Sequence, residues 1–252
     1  MSINRRQFLA GTALGAVGAG AAIVLKSTPA LAAPGLPQSL AAGTSHGTLL
    51  DYSKAVPSPL AIRAAGHLGV VRYVSDRRPG AEFMKAKPLT APEAVTMRAS
   101  GLTVVSNYQF GKGKTADWLG GYDAGVKHAK RGLELHTQAG GPADAPIYAS
   151  IDDNPTRGQF TAKIAPYIKG WESVIGHGRT GIYANAPTIQ WAVDAGLASW
   201  FWQHDWGTPK GYLHPSAHIH QIPGQKYVGG CEVDVNTILK PNYGQWVGSI
   251  GS

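Results

Sequence analysis

The sequence predicts an α/β protein built as a closed (β/α)8, TIM-like barrel. Eight short β-like runs alternate with helix-like segments over residues 47–252, the order that a barrel of parallel strands requires. Nearly every run ends on acidic, amide or aromatic residues, and the C-terminal ends of the strands are where such a barrel builds its site. No Gly-x-Gly-x-x-Gly follows the first run, which counts against the dinucleotide-binding version of an open doubly wound sheet.

The expected strands are 48–52, 69–75, 103–109, 146–152, 179–185, 199–204, 217–221 and 231–236, each short and rich in Val, Ile, Tyr or Trp. Helices are expected between most of them. Thr90-Ala91-Pro92-Glu93 has the layout of a capping box, and Gly101 ends the segment that follows. Residues 117–137 are amphipathic, with Val126, Ala129 and Leu133 at helical spacing. In 159–175, Phe160, Ile164, Ile168 and Trp171 fall on one stripe, and 187–195 is a shorter case. Residues 207–216 are Gly- and Pro-rich and read as a loop.

Before the barrel comes a leader. Arg5-Arg6-Gln7-Phe8-Leu9 precedes an Ala- and Gly-rich apolar stretch, then Pro29 and Ala30-Leu31-Ala32. A basic start, a short apolar region and a small-residue cleavage site make a signal peptide, and the arginine pair points to the twin-arginine route. Residues 1–32 are thus expected to be the signal, 33–46 a linker and 47–252 the barrel domain. The translocase of that route is the expected partner during export, and the cell envelope or the exterior is the destination. The net charge of +8 drops by Arg5, Arg6 and Lys26 to +5 after cleavage, and the remaining bases are scattered rather than clustered. That pattern does not indicate a nucleic-acid protein. The single Cys231 excludes an internal disulfide and is expected to be a buried thiol. No metal or organic cofactor is indicated, and the chain is expected to act as a monomer.

The candidate site follows from the strand ends. Alternation along the fourth strand puts Ser150 and Asp152 on one face and Ile147, Ala149 and Ile151 on the other. Asp51 and Asp234 come from the first and eighth strands, neighbours in a closed barrel. Carboxylates converging from the first, fourth and eighth strands suit glycosidic bond cleavage. One protonated group donates to the leaving oxygen, and a charged one stabilises the oxocarbenium-like centre or orients water. The expected catalytic residues are therefore Asp152 as proton donor, with Asp234 and Asp51 in support. Tyr108, Asp153, Tyr183, Trp202, Gln203, Asp205 and Gln221 are the expected substrate-binding residues, the aromatic ones suited to stacking on sugar rings.

Several of these segments also carry a family resemblance. Asp51-Tyr52, Ile182-Tyr183, the Trp202 strand, His220-Gln221 and Val233-Asp234-Val235-Asn236 resemble the ordered strand-end motifs of glycoside hydrolase family 25 lysozymes. A closer resemblance is to the twin-arginine-exported, glycoside-hydrolase-like proteins of mycobacteria and related actinobacteria, formerly a domain of unknown function. It is carried by Arg72-Tyr73-Val74-Ser75-Asp76-Arg77-Arg78-Pro79-Gly80, Thr115-Ala116-Asp117-Trp118-Leu119-Gly120-Gly121, the stretch from Ala145 to Pro155, and Trp171-Glu172-Ser173-Val174-Ile175-Gly176-His177. The resemblance implies a barrel fold and a cell-envelope setting. Family 25 enzymes carry an Asp-x-Glu pair on the fourth strand, where this chain reads Ser150-Ile151-Asp152.

Two functions are consistent with these readings. The first is an exported glycoside hydrolase-like protein acting on a polysaccharide such as peptidoglycan through carboxylate acid/base chemistry. The alternative is a non-catalytic glycan-binding protein that keeps the cleft of a hydrolase.

Overall fold

The computed structural model describes residues 35–246. The leader expected at 1–32 lies outside the described residues. Eight strands form one closed barrel in chain order: β1 (Thr48–Asp51), β2 (Gly69–Tyr73), β3 (Thr103–Tyr108), β4 (Ile147–Ser150), β5 (Thr180–Asn185), β6 (Trp200–His204), β7 (Ile219–Val228) and β8 (Cys231–Ile238). Each expected run becomes a strand at nearly the expected position.

The barrel is mixed, which corrects the expectation of an all-parallel one. Strands β1 to β7 pair in parallel, but β8 runs antiparallel to both β7 and β1. The cause is local. Gly229 and Gly230, at φ 57° and 78°, turn the chain back within two residues, and Val228 pairs with Cys231 across the turn. Two successive left-handed residues make a tight hairpin, whereas a parallel return needs a crossover of a dozen residues or more. Strand β7 also runs on to Val228, well past the expected 217–221, with its register shifted between Ile222 and Lys226. Cys231, at the turn, is a free and only partly buried thiol.

Helices cover the outside: α1 (Pro59–Ala64), α2 (Ala91–Ala99), α3 (Gly121–Gln138), α4 (Arg157–Gln159), α5 (Ala165–Ile175) and α6 (Ala186–Asp194). A π-helical turn, Phe160–Ile164, joins α4 to α5. The stripe read from Phe160, Ile164, Ile168 and Trp171 is buried throughout. The capping box at the start of α2 forms in part, with Thr90 accepting the Glu93 amide. Helix α1, with Ser58 as its cap, was not expected.

In α3 the buried face differs from the expected one. Gly121, Gly125, Ala129 and Gly132 are buried, whereas Val126 and Leu133 are only partly so. Backbone proximity explains the change. A Cβ on Gly125 would lie 2.2 Å from the Tyr167 carbonyl oxygen, and one on Gly170 of α5 would lie 2.3 Å from that of Tyr122. The two helices therefore touch backbone to backbone at a pair of glycines.

The barrel interior is filled by Leu49, Val71, Val105, Tyr148, Tyr183, Trp202, Ile219 and Ile238. Tyr243 joins this cluster near Thr103, the first residue of β3, and stops the barrel at the N-terminal ends of its strands. The mouth at the opposite end remains for the site. Outside, Arg72 is wholly buried and binds Glu93 at 2.6 Å and the Tyr52 carbonyl at 2.8 Å, which ties β1, β2 and α2 together. Within the segment 33–46, Pro37, Ser39 and Leu40 bond to Tyr212 and Leu213 of the β6–β7 loop.

Replacing Gly170 by Ala is expected to lower unfolding stability by about 1–3 kcal/mol, because the α3–α5 contact must open. Urea unfolding measures this. Gly178→Ala, with open space at its Cβ, should leave the midpoint unchanged.

Candidate active site

Strand alternation decides which residues reach the mouth. Asp51 lies two residues beyond Leu49, whose side chain fills the barrel, so Asp51 points inward. Asp234 is its register partner on β8, and directly opposed residues of an antiparallel pair share a face. The reversal of β8 thus sets two carboxyl groups side by side.

Asp51 is buried and its side chain is held by two amides. Asn236 donates to Oδ2 at 2.8 Å and Gln221 to the same oxygen at 3.0 Å, while the Tyr73 hydroxyl lies 3.5 Å from Oδ1. Each amide is itself fixed. The Trp202 indole donates to Asn236 Oδ1 at 2.9 Å, and the Tyr183 hydroxyl donates to Gln221 Oε1 at 2.5 Å. An indole N–H can only donate, so it settles which end of Asn236 faces Asp51. Two relays, Trp202–Asn236 and Tyr183–Gln221, therefore converge on one carboxyl oxygen.

Asp152 follows β4, on the same face as Ser150, as the alternation indicated. Its Oδ2 meets the Lys112 ammonium at 2.8 Å and the Gln109 amide at 3.2 Å. Burial pushes the Asp152 carboxyl up. The ammonium of Lys112, with His204 and Gln109, outweighs this and holds it below the usual carboxylate range. Ser150 is buried and donates to Asn107 Oδ1 at 2.9 Å. His204 lies behind Asp152, with Nε2 at 3.2 Å from the Ile151 carbonyl. Burial holds its imidazole below the ordinary histidine value against the pull of Asp152.

The three acids act electrostatically on Tyr73 and Tyr183. Burial raises the Tyr73 phenol well above its usual value, and the Asp51, Asp234 and Asp152 carboxylates raise it further. The same three carboxylates raise Tyr183 after burial. All three acids singled out in the sequence thus surround one pair of phenols at the barrel mouth.

Other expected site residues lie elsewhere. Tyr108 faces outward, packs on Trp171 and bonds His128 at 2.7 Å, so it is a core residue. Gln203 also faces outward. It donates to the Tyr212 carbonyl and accepts the His214 amide, which fastens the β6–β7 loop. Asp205 pairs with His220 at 2.7 Å, both on the outward side of their strands. Trp202 does lie inside but is buried beneath the mouth against Tyr183, ring centroids 4.3 Å apart, so it supports the site rather than offering a face to a sugar. Asp153 lines an open cavity of about 260 Å³ beside the mouth, with Lys114, Trp118 and Asn154.

The expected site residues do not include Tyr73, Asn107, His204 and Asn236, nor Gln109 and Lys112, although Asn107, Gln109, His204 and Asn236 stand among the polar strand ends that the sequence shows. The first four were within reach. The alternation that sorted Ser150 and Asp152 also turns Asn107 and His204 inward and Tyr108, Gln203 and Asp205 outward. Lys112 comes from a loop, where no period applies.

A closed barrel with helices outside and clustered carboxyl groups at its mouth defines a glycoside hydrolase-like protein. The chain belongs to the family of Rv2525c-like, glycoside hydrolase-like domains, whose match spans residues 60–238. It is 55% identical over 250 residues to Rv2525c of Mycobacterium tuberculosis, a protein provisionally named a peptidoglycan hydrolase, covering 98% of this chain and all of that one. The crystal structure of that Tat-secreted protein in complex with L-tartrate superposes with a TM-score of 0.79, at 60% identity, over 81% of this chain and 100% of the other. An uncharacterized B. stearothermophilus protein shares the fold at a TM-score of 0.54 and 20% identity, over 76% of this chain and 95% of its own.

Removal of the Lys112 ammonium takes away the strongest influence that lowers Asp152. In Lys112→Met the Asp152 carboxyl is expected to titrate at higher pH than in the parent. Carbon-13 NMR of aspartate-labelled protein reads the shift.

Proposed function

We propose that the protein is an exported glycoside hydrolase-like protein that acts on a cell-envelope polysaccharide, with peptidoglycan the first candidate. The observation that carries this reading is the gathering of Asp51, Asp152 and Asp234 around Tyr73 and Tyr183 at the mouth. The name and export route of its M. tuberculosis relative support it, as does the arginine-pair leader at residues 1–32. We read the barrel as a TIM-like one whose last strand has been reversed.

In this reading Asp152 donates a proton to the glycosidic oxygen. Asp51, set by its two amide relays, and Asp234 beside it stabilise positive charge on the sugar ring or orient water. Asp152 begins ionised, because Lys112 lies against it. Substrate must displace the Lys112 side chain, which is half exposed at 52%, before Asp152 can hold a proton. A sugar ring that takes its place removes both the cation and water, and each change raises the carboxyl pKa. Tyr183, Gln221 and Asp153 then face or border the bound glycan, and no step uses a metal or an organic cofactor.

A second reading has its own observation. The Lys112–Asp152 pair, with Ser150 closed onto Asn107, suits a protein that binds glycan without cutting it.

A reducing-end release assay on peptidoglycan and other envelope glycans separates the two. Asp152→Asn is expected to lower release by about two to four orders of magnitude. Saturable binding by both proteins with no release by either would establish the binding reading.

A further inference from the structure

Lys87 lies in the loop between β2 and α2 and is 4% exposed. Its Nζ donates to the Gln109 carbonyl at 2.6 Å and sits 4.0 Å from the centre of the Tyr73 ring. The Gln109 carbonyl also accepts the Ser75 hydroxyl at 2.8 Å, so this stretch of backbone is fastened from two sides. The side-chain amide of Gln109 reaches Asp152, and the Tyr73 hydroxyl is directed at Asp51. One buried amine therefore stands behind both residues through which the wall at β2 and β3 touches the carboxyl groups of the mouth.

We infer that Lys87 is a positioning residue for the glycan site, its ammonium holding the Tyr73 ring toward Asp51 and the Gln109 backbone, and so the Gln109 amide, toward Asp152. The inference rests on the proposed glycan site and adds a residue to it. The ammonium attracts the face of the Tyr73 ring, and this attraction is strongest where water is excluded. A neutral amine still reaches the Gln109 carbonyl but no longer attracts the ring.

The surroundings make this charge responsive to pH. Burial lowers the Lys87 ammonium to about 7, and Arg78, Arg72 and Lys112 push it in the same direction while the Asp117 carboxylate opposes them. Tyr73 remains neutral over this range, because burial and the three carboxylates hold its phenol high. Lys87 is thus charged below about pH 7 and neutral above it. The mouth is held in its set geometry at the lower pH and loosens as pH rises.

Two measurements on the exported chain test this. The first is the pH dependence of binding to soluble peptidoglycan fragments, by calorimetry between about pH 5.5 and 9. The parent protein is expected to bind more weakly as pH rises through 7. Lys87→Met, checked for folding by circular dichroism, is expected to bind up to about 30-fold more weakly at low pH, the full strength of one buried cation–ring contact, and to show no such step. Lys87→Arg keeps the charge and is expected to restore binding without the step below pH 9. A step that persists in either variant overturns the inference, and the Arg variant keeps the test intact if the Met variant does not fold.

The second measurement needs no glycan. The carboxyl carbons of Asp51 and Asp152 are expected to shift together with the titration of the Lys87 amine, and to lose that shift in the variants. A coupled shift without glycan binding supports the role of Lys87 and contradicts the glycan reading. An uncoupled shift contradicts the role of Lys87 itself.

Discussion

A buried carboxyl group needs partners, because leaving it without hydrogen bonds out of water costs several kcal/mol. Asp51 obtains them from Asn236 and Gln221, each fixed from behind by an aromatic donor. The rest of the mouth follows from this arrangement. Gln221 lies on β7 and Asn236 on β8, and Asn236 is brought beside Asp51 by the hairpin at Gly229 and Gly230, which sends β8 back alongside β1. The same reversal sets Asp234 opposite Asp51. One two-residue turn therefore sets the direction of the closing strand and brings Asp234 and Asn236 to Asp51.

Charge balance is the second constraint. Three acids share the mouth with two buried phenols, and such crowding is tolerable only with cations close by. Lys112 comes from the solvent side and supplies that charge to Asp152 directly, while Lys87 lies beneath Tyr73 and Gln109 and touches none of the three acids. The Lys112 side chain is half exposed, whereas Lys87 is buried. In the proposed reading, a ligand that displaces Lys112 raises the proton affinity of Asp152, the behaviour required of a carboxyl acid that gains its proton after substrate binds.

Much of this was legible in the sequence, for reasons that differ from element to element. The strands were legible because β-branched and aromatic runs are short and bounded by turn formers. The three candidate carboxyl groups were legible as neighbours because they stand at strand ends. The direction of β8 was also written in the chain, since the Gly-Gly pair leaves no room for a crossover, but the regular order of the earlier strands concealed it. Tyr108 and Gln203 were assigned to the site because their strands end near it, although alternation turns them outward. In α3 the larger apolar residues suggested one face, while contact between glycine backbones selected another. Lys112 and Lys87 lie on loops, and only the folded chain shows which residues they meet.

The most direct measurement is a crystal structure of Asp152→Asn soaked with a peptidoglycan-derived oligosaccharide. A sugar chain that crosses the mouth, with its glycosidic oxygen within hydrogen-bonding reach of residue 152, Asp51 and Asp234 beside the ring and Lys112 displaced, is the expected result. A glycan bound away from these three positions, or at the mouth with Lys112 still against residue 152, would contradict the proposed chemistry.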